Sequence, residues 1–306
     1  MPTVKVEQIA ASNLNYRLYP LEFFFDSQKE LGIKSIELYG IAPHLLMDYE
    51  GYSNTKIIRT MAEDRGLSIV AFTPESALYQ FPVAAYNEEV RRLAVSYYIN
   101  AIHATKELGA KIMLLNIAGG LKEENPEKVL ERGVETLQTI APLAEKVGVT
   151  IAVETMPASD SVALNTLHEL TGFLNAVDHP SVKAALDVSA VRQAMETLDE
   201  WFLTLHDDIV YVHFTDGKPE GRLVWGEGLH PLDNYLESLE RYGYTGYLGQ
   251  NSNVRGMWFD QGLLSEDGSF SGREFYPDNY WFYPPAADRK NLDAFEPYMV
   301  TGEESA

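Results

Sequence analysis

The sequence predicts an α/β protein: a (β/α)8 barrel of the TIM type followed by an aromatic-rich C-terminal extension. Three observations carry the prediction. Short apolar runs alternate with longer amphipathic stretches, which argues for strands joined by helices in a parallel sheet. About eight such units fit in roughly 250 residues, the size of a (β/α)8 barrel. The first apolar run is not followed by the G-x-G-x-x-G loop usual in a doubly wound sheet.

Read in order, the strands are "VKVEQIAASN" (4–13), the weakest, then "KSIELYG" (34–40), "LSIVAFTPE" (67–75) and "AKIMLLNIAGG" (110–120). "VTIAVETMP" (149–157), "VKAALDVS" (182–189), "IVYVHFTDG" (209–217) and "GYLGQN" (246–251) follow. Near-continuous Val, Ile, Leu and Ala suit strands covered on both faces. The helices between them are bounded by ordinary stop and start signals. "LEFFFDSQKELG" (21–32) ends in Gly, "NEEVRRLAVSYYINAIHATKELG" (87–109) opens with Asn and acids, and "NPEKVLERGVETLQTIAPLAEKVG" (125–148) has an Asn-Pro entry. "LNTLHELTGFLNAV" (164–177), "VRQAMETLDEWFLTL" (191–205) and "PLDNYLESLERYG" (231–243) complete the set. The barrel is therefore expected over 1–251. Residues 252–306 form an extension in which 11 of 55 residues are aromatic, dense enough to require burial on the barrel, at its mouth or against a partner.

Composition narrows the function. A net charge of −21 and the lack of a basic patch exclude nucleic acid and disfavour anionic membranes. With no cysteine, thiolate catalysis and Cys-ligated zinc or iron–sulfur sites are excluded. No apolar run spans a bilayer, and the N-terminus lacks a signal-peptide core, so a cytoplasmic protein is expected.

In a (β/α)8 barrel the chemistry sits at the C-terminal ends of the strands. The polar residues there are Glu37, Glu75, Asn116, Glu154, Asp187, His213, Gln250 and Asn251. One carboxylate at a strand end serves as well for a helix cap. Three successive ends, Glu154, Asp187 and His213, each closing a buried run, make a ligand set for a divalent cation such as Mn, Mg, Co or Zn. Other candidates follow from position. Glu75 and Asn116 face a substrate from strands three and four, and His44 lies beyond strand two. Asp216 is placed to orient a ligand, and Lys218 or Arg222 to meet an anionic or hydroxylated substrate. Trp225, Trp258 and Trp281 offer stacking surfaces for a sugar, with core packing as the plainer role.

The stretches "LGIKSIELYG", "ELGAKIMLLNIAGG", "VTIAVETMP", "VKAALDVS", "IVYVHFTDGKPEGRLVWGEG" and "LERYGYTGYLGQN" resemble the sugar-phosphate isomerase/epimerase superfamily, the xylose-isomerase-like barrels that include tagatose- and psicose-type 3-epimerases. The V-H-x-x-D step, the following G-x-G and the later G-Y-x-G are its most specific parts. The resemblance implies one divalent metal, manganese first, held by Glu154, Asp187, His213 and a fourth ligand on strand eight. That fourth position carries a glutamate in the family and Asn251 here, or Gln250 if the match slips by one. Two further departures are Ala190 and Asn116, where histidines are common.

In the implied mechanism the metal polarises a sugar carbonyl and a glutamate on each face moves the proton. Glu154 can be one such base. An amide at 251 can donate an oxygen to a metal, but it has no proton-transfer pKa near neutrality. The expectation is thus a metal-dependent isomerase or epimerase acting beside a carbonyl of a sugar or sugar derivative. Two alternatives remain. One is the large subunit of a C-glycoside deglycosidase, a C–C lyase working on an oxidised C-glycoside with a small second subunit. The other is a non-catalytic sugar-binding or regulatory subunit. Self-association is expected from the resemblance.

Overall fold

The alternation of runs resolves into a closed barrel of eight parallel strands. The computed structural model describes residues 2–76, 81–117, 121–218, 220–252 and 284–300. Trp258 and Trp281 lie outside the described residues. The strands are β1 (Ile9–Ser12), β2 (Ser35–Gly40), β3 (Ser68–Pro74), β4 (Ile112–Asn116), β5 (Thr150–Glu154), β6 (Val182–Asp187) and β7 (Ile209–His213), then the hairpin β8 (Asp216–Lys218) and β9 (Glu220–Leu223), and β10 (Tyr247–Gln250). β10 pairs with both β7 and β1 and closes the ring; β8 and β9 stand apart as a two-stranded sheet. The helices are α1 (Leu21–Leu31), α2 (Thr55–Glu63), α3 (Glu88–Leu108), α4 (Pro126–Val147), α5 (Leu167–Val177), α6 (Val188–Gln193), α7 (Leu198–Leu205), α8 (Leu232–Arg241) and α9 (Pro284–Phe295).

Helix ends follow the local chemistry. The Asn87 and Asn125 side chains accept from the Val90 and Glu127 amides, and Gly32, Gly109 and Gly148 close α1, α3 and α4 in the left-handed conformation. The single helix expected over 191–205 is instead α6 and α7. Met195, at φ 59°, breaks it, and Thr197 with Glu200 starts the second piece with a reciprocal cap.

Strand alternation sorts side chains into two layers. Ile36, Leu38, Met113, Leu115, Ile151, Val153, Leu186, Val212 and Leu248 face outward into the main core beneath the helices. Inside the barrel, Ala10, Ala71, Leu114, Ala152, Ala185 and Tyr211 form a small separate cluster. Tyr211 fills the room that the four alanines leave. In the outer layer Phe24, Phe25, Phe72 and Trp201 are fully buried, each contributing about 1.5–3 kcal/mol in removal from water.

α9 belongs to the same packed body. Phe295 packs tilted against Phe214 and edge-on to Trp225, Asn291 accepts from the Trp225 amide, and Asp288 accepts from Tyr16 and Gln28 at 2.5 and 2.7 Å. No helix among the described residues is long and apolar enough to cross a membrane.

Candidate metal centre

Strand register brings the candidate ligands to one level. Asn116 pairs with Glu154, Asp187 with His213, and His213 with Gly249. Glu154, Asp187 and His213 are all buried, and their ligand atoms lie within 4.8 Å of one another. They share the inward parity of Ala152, Ala185 and Tyr211, so the alternation that builds the inner layer also aims the three ligands into its mouth.

Each member of the cluster is held by its neighbours. Glu154 Oε1 contacts His213 Nδ1, and His213 Nε2 reaches Glu37 Oε2 at 3.1 Å. Burial disfavours a charged imidazole, but the Glu154 and Glu37 carboxylates outweigh it and push His213 up to about 10. Asp187 Oδ1 accepts from the Ser189 amide at 2.7 Å, capping α6, while Oδ2 accepts from Arg222 Nη2 at 2.6 Å. Burial raises the Asp187 carboxyl, but Arg222 and His213 more than compensate, so it stays below its ordinary value. Arg222 also approaches Glu154 Oε2 at 3.6 Å. With 31% of its side chain exposed, it is where the buried cluster meets solvent.

The two amides at the end of β10 can be told apart. Leu248 faces the outer core, so Gln250 shares its outward parity and Asn251 faces inward like Gly249. A Cβ on Gly249 would lie 2.7 Å from the Tyr211 hydroxyl, which fixes the inward direction. Asn251 Oδ1 and Gln250 Oε1 are both buried without a hydrogen-bond partner, so strand parity, not the open acceptor, separates the two amides. Two carboxylates, an imidazole and the Asn251 amide oxygen fit a divalent cation.

Other expected site residues divide. Asn116 donates to Ser76 Oγ at 3.1 Å, and Glu75 accepts from the Tyr39 hydroxyl; both stand at strand ends facing the mouth. His44 does not join the cluster. Its Nδ1 accepts from Asn13 at 2.8 Å and its Nε2 donates to the Tyr19 carbonyl at 2.9 Å, which leaves neither ring nitrogen for a substrate. It borders a cavity of about 690 Å³ between the β1–α1 segment and α2, lined also by Arg17, Tyr19, Ile57 and Met61. That cavity holds none of the cluster, so chemistry rather than cavity size selects the centre.

Asp216 is likewise structural. Its carboxylate accepts from the amides of Gly217, Gly226, Gly228 and His230 at 2.7–3.0 Å, and a Cβ on Gly228 would lie 2.1 Å from Oδ1. The D…G-x-G spacing is thus a loop clamp. Trp225 is core, donating to the Phe214 carbonyl at 3.1 Å. Glu37 is the residue whose part the sequence left unassigned. The sequence offers it as a strand-end carboxylate, whereas it sits in the middle of β2, and nothing local ties it to His213.

The family model described as Xylose isomerase-like TIM barrel matches residues 25–266. The chain belongs to that family. Within it, the chain is 26% identical to the fructoselysine 3-epimerase of Shigella flexneri over 230 residues, covering 74% of this chain and 83% of that one. It is 23% identical to the D-psicose 3-epimerase of Ruminiclostridium cellulolyticum, covering 67% and 70%. Among solved structures, a 3-keto-D-glucoside 4-epimerase from E. coli superposes with a TM-score of 0.70 at 17% identity, over 90% of this chain and 99% of that one. A D-psicose 3-epimerase solved with D-fructose gives 0.72 at 16%, over 94% and 98%. The named relatives are epimerases of sugars or sugar derivatives, and the solved structures share the barrel fold.

Proposed function

We propose that the protein is a divalent-metal-dependent enzyme that moves a proton beside a carbonyl of a sugar or sugar derivative, in the isomerase or epimerase class. The convergence of Glu154, Asp187 and His213 within 4.8 Å carries the reading. The open acceptor on Asn251 supports a fourth donor, and manganese, magnesium, cobalt and zinc all suit the set. A cation held there would supply Lewis acidity to a substrate carbonyl oxygen. Glu154 is the proton acceptor in this reading. Arg222, half-buried beside both carboxylates, holds a substrate oxygen at the entrance. The ketose substrates named for the fructoselysine and psicose epimerases support a ketose as the substrate class.

Asn251 cannot relay a proton, so Glu154 works without the family's second glutamate. The test is a calorimetric Mn²⁺ titration of the chelator-treated protein, followed by incubation with D-fructose or D-psicose in ²H₂O. Deuterium should enter beside the carbonyl only with metal present, and Glu154→Gln should slow the exchange about 10²–10⁴-fold. Failure to bind Mn²⁺, Mg²⁺, Co²⁺ and Zn²⁺ alike would overturn the reading. Release of an aglycone from an oxidised C-glycoside, with no exchange into either ketose, would move it to the C–C lyase class.

A further inference from the structure

We infer that Glu37 is a positioning residue: it fixes the His213 ring so that Nδ1 alone is presented to a cation, and Gly249 is small to leave room for it. The inference rests on the metal-centre reading above. Glu37 is 1% exposed and lies on the inner face of β2. Thr73 donates to its Oε1 at 2.8 Å, and Tyr211 and His213 Nε2 donate to its Oε2 at 3.0 and 3.1 Å. The three donors come from β3 and β7, so the barrel wall holds both carboxylate oxygens in place.

A buried charge is a poor choice for stability alone, because an apolar side chain of similar size fits an alanine-lined lumen at lower cost. Its direction explains its presence. In the structure both ring nitrogens donate, Nδ1 to Glu154 and Nε2 to Glu37; when a cation takes the place of the Nδ1 proton, the Glu37 carboxylate keeps Nε2–H and leaves the lone pair on Nδ1. β10 accommodates the arrangement. A Cβ at position 249 would lie 2.7 Å from the Tyr211 hydroxyl and 2.8 Å from Glu37 Oε2, so any larger residue displaces the pair. The second glycine of the G-Y-x-G motif thereby acts on a metal ligand it never touches.

The experiment compares wild type, Glu37→Gln and Gly249→Ala as full-length chains. Mn²⁺ affinity is read by calorimetry and fold integrity by circular dichroism. The His213 ring nitrogens are observed by ¹⁵N NMR in the Zn²⁺-loaded proteins. Both variants should stay folded and bind Mn²⁺ about ten- to a hundredfold more weakly. Wild type should show a protonated Nε2 and a metal-shifted Nδ1, and Glu37→Gln a loss of that single pattern. Glu37→Gln keeps the side chain's shape, so a change of tautomer there reports positioning and not packing. Wild-type affinity and an unchanged ring pattern in both variants would overturn the inference while leaving the metal centre intact. A wild type that binds none of the cations overturns both.

Discussion

In the proposed ligand set, Asn251 changes the charge the cluster offers a cation. Glu154, Asp187, neutral His213 and Asn251 present two negative charges, whereas a glutamate at 251 would make three. Asn251→Glu should therefore tighten Mn²⁺ binding by about tenfold or more, since ligand charge count tunes affinity. Without metal the same substitution sets a third carboxylate beside Glu154 and Asp187, and the apo protein should lose stability. Paired calorimetry and urea unfolding check both signs; unchanged affinity would remove Asn251 from the ligand set. At this scale the sequence disclosed the donors but not their partners. Glu154, Asp187 and His213 each end an apolar run and could be read from position alone. The roles of Glu37 and His44 depend on contacts across strands: Thr73, Tyr211 and His213 for one, Asn13 and Tyr19 for the other. No local pattern encodes those contacts.

Elements were legible where their periodicity was long and their ends well marked. α3 and α4, opened by Asn and closed by Gly, fall within a residue of expectation. α2 escaped notice because it is nine residues long and its adjacent Ile57 and Ile58 blur the helical period, one being exposed and the other buried. The β8–β9 hairpin was hidden by the apolar run that continues through Phe214 beyond the end of β7. α9 lies in a stretch where aromatics obscured the helical pattern, and its docking is held by a buried acid. Burial raises Asp288 to about 6, against hydrogen bonds from Tyr16 and Gln28 that lower it. The folded value exceeds the unfolded one near 3.9, so the native state binds more protons between pH 4 and 6. The contribution of Asp288 is therefore fully favourable below pH 4 and is lost as pH rises through 6, by about 3 kcal/mol in all. Asp288→Asn keeps an acceptor for Tyr16 and Gln28 but cannot ionise. Its stability relative to wild type, from urea unfolding, should climb by about that amount between pH 4 and pH 7; a difference flat with pH would show that Asp288 does not ionise against burial.

For the whole molecule, a functional cation must be distinguished from the attraction of a strongly acidic surface. A chain of net charge −21 gathers divalent ions non-specifically, and any such binding to the folded form raises its melting temperature. The barrel's own site differs in being assembled only by the fold: Glu154, Asp187 and His213 come from three strands and meet once the barrel closes. The unfolded chain has no such site, so binding at a hundred times Kd should add about 2.7 kcal/mol to the stability. For 306 residues, at about 2.1 cal/mol/K of unfolding entropy per residue, that is a rise of roughly 4 °C in Tm. Asp187→Asn removes one of 45 acidic groups and leaves the surface field almost unchanged, while it takes an anionic ligand out of the cluster. Differential scanning fluorimetry over a Mn²⁺ series should show the shift in wild type and little of it in Asp187→Asn. The cap on α6 survives in that variant, because an asparagine oxygen still accepts from the Ser189 amide. Equal shifts in the two proteins would assign the effect to the surface and leave the strand-end cluster without a metal.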